Sequence, residues 1–248
     1  MKLITALAAS LVSVAVVSAQ SPGVVMVSDM TRDGKATTTT MQMDKSHMRV
    51  ESGSASIFIF DGDAQVARIV DMDKKSYTEM TKADLEKMQQ QMSAAMEKVK
   101  GMPGGGALMG KMMGRGGAAT PITYKATGSG KAGQWACKTY DGTRGNDKVS
   151  EICTVEPKAL GLVPADFEVA KQLAEFLKAM IPGGMTDQIA VNGTETEQGF
   201  SGVPIKSTSF SKGKPTITTE LKSIRHEPIP ASAWQPPAGF KRQTMGGR

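Results

Sequence analysis

The chain has 248 residues, 40% of them hydrophobic and 22% charged, with a formal net charge of +6, two cysteines and two histidines. That apolar share is enough to bury a core, whereas an aromatic content of 5% with no recognisable binding motif argues against nucleic acid as a partner. Two cysteines with no histidine near them make a poor zinc site.

The N-terminus reads as a cleaved secretory signal over residues 1–19. Lys2 is followed by an apolar run from Leu3 to Val17 and then by the small residues Ser18 and Ala19 before Gln20. No cysteine stands at the cleavage position, so the lipid-anchored variant is not expected. Removal of 19 residues from 248 leaves 229, read as a single β-rich domain over 20–242 with no transmembrane span, located in the periplasm or outside the cell. Such a compartment is oxidising and favours a disulfide between Cys137 and Cys153.

From Val24 to Thr78 short β-prone runs alternate with turn signals. The runs cover 24–30, 35–43, 46–51, 56–60, 65–70 and 75–78, and Asp33-Gly34, Gly53-Ser54 and Asp61-Gly62-Asp63 lie between them. This is the pattern of an antiparallel meander. Ile57-Phe58-Ile59-Phe60 is apolar on both faces, so that strand should be covered on both sides, once by a helix. A first helix starts at Thr81, with Asp84 completing a capping box and Met80 packing on Leu85. Leu85, Met88, Met92, Met96 and Val99 form its apolar stripe. The stretch 101–119 holds eight glycines and four methionines and is expected to be a flexible loop.

A strand from Ile122 leads into a hairpin in which Cys137 is expected opposite Cys153. That register places Trp135 against Val155 and Thr139 against Glu151. A second helix is signalled by Pro164 and by Phe167, Ala170, Leu173, Phe176, Leu177 and Met180 on one face. A strand near 188–191, a turn at Asn192-Gly193 and a hairpin over 203–224 follow. The proline-rich end from Pro228 to Phe240 is expected to be neither regular strand nor helix and to lie across the sheet, and 243–248 should be a disordered tail. Eight Lys and Arg against Glu220 and Glu227 make the last fifty residues basic. Charged edge strands explain this; docking on an anionic surface is the functional alternative.

The pieces RIVDMDKKSYTEM (68–80), TYKATGSGKAGQWACKTYDG (123–142), EICTVEPKALGL (151–162) and IRHEPIPASAWQPPAGFK (224–241) resemble an exported bacterial domain-of-unknown-function family. Its members are similar to the lipoprotein-carrier half-barrels of the LolA and LppX kind. The resemblance implies an α+β, β-dominated fold, a strongly curved antiparallel sheet with two covering helices around an apolar cavity. No catalytic residue is implied. Phe58, Phe60, Leu85, Met88, Met92, Met96, Phe167, Leu173 and Phe176 are the candidates for contacting an apolar ligand such as a lipid, an acyl chain or a lipoprotein, or for closing over it.

Other constellations are weaker. Gly128-Ser129-Gly130-Lys131 lacks the first glycine and the final hydroxyl of a phosphate loop, and Asp61-Gly62-Asp63 and Asp71-Met72-Asp73 lack the distal ligands of a calcium loop. His47 alternates with Met48 and Val50 and should face water, while His226 has no metalloprotease context. No enzyme and no cofactor is expected. Eighteen methionines leave one metal alternative, a soft Cu(I) site of Met41, Met43, His47 and Met48, against the commoner role of methionine as a compliant apolar surface.

Overall fold

The computed structural model describes residues 20–101, 122–178 and 199–243. The expected signal segment, the Gly/Met-rich loop beyond Gly101, Met180, the strand near 188–191, the Asn192-Gly193 turn and the tail beyond Gln243 lie outside the described residues. Among the described residues twelve strands form one open sheet. In chain order they are β1 Gln20–Arg32, β2 Lys35–Met43, β3 His47–Ser52, β4 Ser56–Asp61, β5 Val66–Asp71, β6 Ser76–Thr81, β7 Thr123–Ala132, β8 Trp135–Arg144, β9 Asp147–Val155, β10 Val203–Ser211, β11 Lys214–Pro230 and β12 Lys241–Gln243. Among the described residues two α-helices, α1 Lys82–Lys100 and α2 Glu168–Lys178, join the sheet in a β-dominated α+β fold.

Across the sheet the order is β12-β6-β5-β4-β3-β2-β1-β11-β10-β9-β8-β7. Every pairing is antiparallel except that of β12 with β6. Asp33 at φ 50° and Gly34 at φ 76° take the left-handed pair that a two-residue hairpin loop requires, which pins β1 to β2. Lys212 at φ 51° and Gly213 at φ 74° do the same between β10 and β11.

β11 runs six residues beyond the expected end at Ile224, through two prolines. Pro228 lies opposite Pro22 on β1. There β1 has not yet met β2, whose pairing begins at Val24 and Met43, and β11 has already left β10. Each proline therefore sits where its strand has a single neighbour and a missing N–H costs little.

The two faces of β4 confirm its double cover. On the inner face Phe60 is fully buried, and its ring lies 5.3 Å from that of Phe176 on α2. On the outer face Ile57 and Ile59 pack with Val70, Met72, Tyr77 and Phe240. The end of the chain forms this outer cover. Trp234 closes a second outer cluster with Val25 and Ile229, and β12 then adds beside β6, so Gln243 belongs to the sheet and not to a tail.

α1 starts as its sequence dictates, with Thr81 Oγ1 accepting from the Asp84 N–H at 3.2 Å and Asp84 Oδ2 accepting from the Thr81 N–H at 3.0 Å. Among the described side chains of α1 beyond that turn Leu85 alone is buried, and Met88 is 41% exposed. The described side chains of α1 are otherwise exposed or half-buried.

Cys137 and Cys153 are bonded, with their Cα atoms 5.5 Å apart, but the expected register is corrected. Thr139, not Cys137, pairs with Cys153, and Asp141, not Thr139, pairs with Glu151. The turn decides this. Arg144 pairs with Asp147 around a two-residue loop, and a bulge between Gly142 and Thr143 shifts the ladder one further step. The disulfide spans the pair diagonally, on the face where Trp135, Val155 and Ala132 pack. Replacing both cysteines by serine should destabilise the fold by about 3 kcal/mol. In calorimetry this corresponds to a melting temperature lower by about 6–12 °C.

Candidate ligand-binding cavity

The inner face of the sheet does not close on itself. Six adjacent strands, β4-β3-β2-β1-β11-β10, contribute side chains to one cavity of about 560 Å³. Strand alternation selects the lining. Met26 on β1, Met41 and Met43 on β2, Met48 and Val50 on β3, and Phe58 on β4 all point to the same side. Register places Met26 beside Met41, Met43 beside Met48, and Val50 beside Phe58. From the other direction come Val203 and Ile205 of β10 and Leu221 of β11.

The second helix forms the roof. A 3-10 turn over Pro164–Phe167 leads into α2, from which Phe167, Ala170 and Leu173 face the cavity. Val169 and Phe176 are buried and anchor the helix. Gly62, in the β4–β5 turn, lets the helix approach; a methyl group there would collide with the Gln172 carboxamide and come 3.0 Å from the Ser46 carbonyl oxygen.

The lining changes character along the strands. Toward the β2–β3 turn it is thioether and hydrocarbon. Two residues further along β1, β2, β10 and β11 it becomes hydroxyl: Ser28 pairs with Thr39, and Ser207 with Thr219. Thr39 and the neighbouring Ser52 share a hydrogen bond of 3.1 Å. Among the described residues bordering this end Lys206 alone is charged, and because it alternates with Ile205 and Ser207 and pairs with Glu220, its side chain runs to the opposite face of the sheet. Its Nζ lies 3.5 Å from Glu220 Oε2, while Lys222 takes Glu220 Oε1 at 2.7 Å.

The residues anticipated from sequence separate into groups. Phe58, Phe167 and Leu173 line the cavity. Phe60, Leu85 and Phe176 are fully buried in the core beside it, Met88 is exposed, and the side chains of Met92 and Met96 are not among those described. No described residue of α1 lines the cavity; the helical part of the described lining comes from α2 and the turn before it. Met26, Val50, Val203, Ile205 and Leu221 had not been singled out, although their alternation within each strand was visible.

His47 corrects the expectation of a wet face. Its ring stacks on Trp234 at 5.2 Å, on the side of β3 opposite Met48. It therefore does not join Met41, Met43 and Met48, which face the cavity. Its Nδ1 lies 3.0 Å from Asp44 Oδ1, and Ser21 donates to Asp44 Oδ2 at 2.6 Å. The carboxylate sits between hydroxyl and imidazole, so the group has no nucleophile-and-base arrangement. It clamps β1 to the β2–β3 turn.

Burial pushes the Asp44 carboxyl up, but hydrogen bonds from Ser21, Ser46 and His47 outweigh it and hold the group below its ordinary range. A carboxyl with a depressed folded pKa contributes stability above its unfolded pKa and loses it as pH falls through the folded value. Asp44→Asn should therefore cost about 1–3 kcal/mol near neutrality. It should also flatten the loss of stability below about pH 4, which urea melts at several pH values would record.

No protein-family model and no curated protein matches the chain. Among solved structures it is similar to an uncharacterized conserved protein from Thermus thermophilus, at 6% identity and a TM-score of 0.47 over 90% of each chain. It is also similar to PNGF-II, at 8% identity and a TM-score of 0.38, over 90% of this chain and 31% of that one. Likenesses at this level assign no site. No helix among the described residues is long and apolar enough to cross a membrane.

Proposed function

We propose that this protein is a non-enzymatic carrier or sensor that holds one apolar ligand, such as an acyl chain or a lipidated protein, in the bacterial cell envelope. The observation that carries the reading is the cavity of about 560 Å³ beneath α2, a size suited to a single small ligand. Its formation from six neighbouring strands supports a sheet curved in the manner of the LolA and LppX half-barrels. A methionine-rich lining fits guests of variable shape, because unbranched thioethers repack at low cost. The disulfide favours an oxidising compartment, in keeping with export to the periplasm or beyond.

Native mass spectrometry of the protein purified from its own host tests this directly. Co-purified lipid or acyl mass, released by solvent extraction, is the expected result. A protein that is ligand-free and fails to take up the apolar dye N-phenyl-1-naphthylamine would end the proposal. The cavity methionines Met26, Met41, Met43 and Met48 also form a soft donor set. Titration with Cu(I) under reducing conditions is therefore the control: tight metal binding that excludes the dye would move the assignment to metal handling.

A further inference from the structure

We infer that the cavity selects an uncharged ligand, an apolar chain that carries a neutral oxygen function such as an alcohol, ester or amide. This rests on the reading of the cavity as an apolar-ligand site and deepens it by fixing the charge of what is held. Among the described residues of the lining no charged side chain faces inward. Lys206 borders the cavity, but its ammonium lies on the other face of the sheet, beside Glu220. On the inner side of β1 and β2 the next charges are Arg32 and Lys35, four residues beyond Ser28 and Thr39. That is about 13 Å of extended strand, more than a Debye length in physiological salt, and both side chains are exposed.

A pocket of single-ligand size removes most of its ligand from water. An ionised head taken in here loses hydration that no counter-charge in the lining restores. A pure hydrocarbon meets the opposite difficulty, since it fits the thioether end and dries the hydroxyls at the other. Thr39 already bonds Ser52 at 3.1 Å, which leaves Ser28, Ser207 and Thr219 to meet a ligand. A neutral oxygen there gains hydrogen bonds at a small loss of hydration. Hydroxyls both donate and accept, so these three side chains answer an alcohol, an ester carbonyl or an amide alike. An acyl chain held through an ester or amide, as in a lipid or a lipidated protein, belongs to this class. A free fatty acid belongs to it only when protonated.

The test is displacement of N-phenyl-1-naphthylamine from the full protein by C16 compounds that share a tail and differ in head, each below its micellar concentration. At about pH 8, hexadecanol and monopalmitoylglycerol should displace the dye at concentrations about tenfold lower than palmitate or hexadecyltrimethylammonium do. Palmitate should close that gap as the pH falls toward about 5, because its protonated form is the one taken up, whereas hexadecanol should not respond. Ser28→Ala combined with Thr219→Val should weaken hexadecanol about threefold to tenfold with dye affinity unchanged. Lys206→Gln should alter none of these values. Equal displacement by every head, a preference for either ion, or undiminished hexadecanol binding by the double variant would overturn the inference and leave the apolar site standing. Failure of the dye and every C16 compound to bind would remove the underlying reading instead.

Discussion

Trp234→Ala is expected to destabilise the protein by about 3–5 kcal/mol, the range for removing a large buried aromatic side chain. For a chain of this size this lowers the melting temperature by about 6–20 °C. The indole is 5% exposed, closes the Val25 and Ile229 cluster and stacks on His47. Next to it the Ala233 carbonyl accepts from Arg49 Nη1 at 2.9 Å. The loss should spread beyond one contact, because the same segment carries Phe240 onto Ile57, Ile59 and Val70 and ends by pairing with β6. Differential scanning calorimetry is the measurement. A fall under about 1 kcal/mol, within the range of surface substitutions, would show that the segment rests on the sheet without helping to hold it.

Val50→Trp should abolish uptake of an apolar dye without unfolding the protein. Val50 faces the cavity from β3, beside Met41 and Phe58. An indole there occupies space the ligand needs, whereas the same substitution in a filled core would cost about 1–3 kcal/mol through overpacking. The expected outcome is at least a tenfold weaker dissociation constant, about 1.4 kcal/mol, with an unchanged or higher melting temperature. Phe176→Ala is the contrasting variant. That side chain is 1% exposed and packs on Phe60, so it should lower stability by about 3–5 kcal/mol. Normal dye binding by a folded Val50→Trp protein would place the ligand elsewhere.

Local signals were the legible part of the sequence. Asp33-Gly34 and the Thr81 to Asp84 box each dictate a short piece of backbone, and both appear as read. Ile57 to Phe60 announced a strand with two apolar faces, and both are covered. The hairpin register was less legible, because a bulge moves every pair while leaving the composition unchanged; the cysteines tolerate the diagonal that results. For α1, helical spacing of apolar residues gave no information on which neighbour would receive them. His47 lay on the predicted side of β3, but nothing local could show that Trp234, far along the chain, would cover it. The cavity lining was visible only as alternation within separate strands; which strands converge depends on the β1 to β11 pairing.

That pairing has a consequence for how the molecule is made. The seam joining the two halves of the sheet binds the first described strand to one beginning almost two hundred residues later, and the parallel strip along β6 comes later still. Until the last residues emerge, the N-terminal meander has two uncovered borders, one at β1 and one at β6, each a template for mispairing. Assembly across such sequence distances is slow. The growing chain thus has reason to meet a chaperone while it folds, and in pulse-labelled hydrogen exchange the β1 and β6 amides should gain protection together, after those of the internal hairpins.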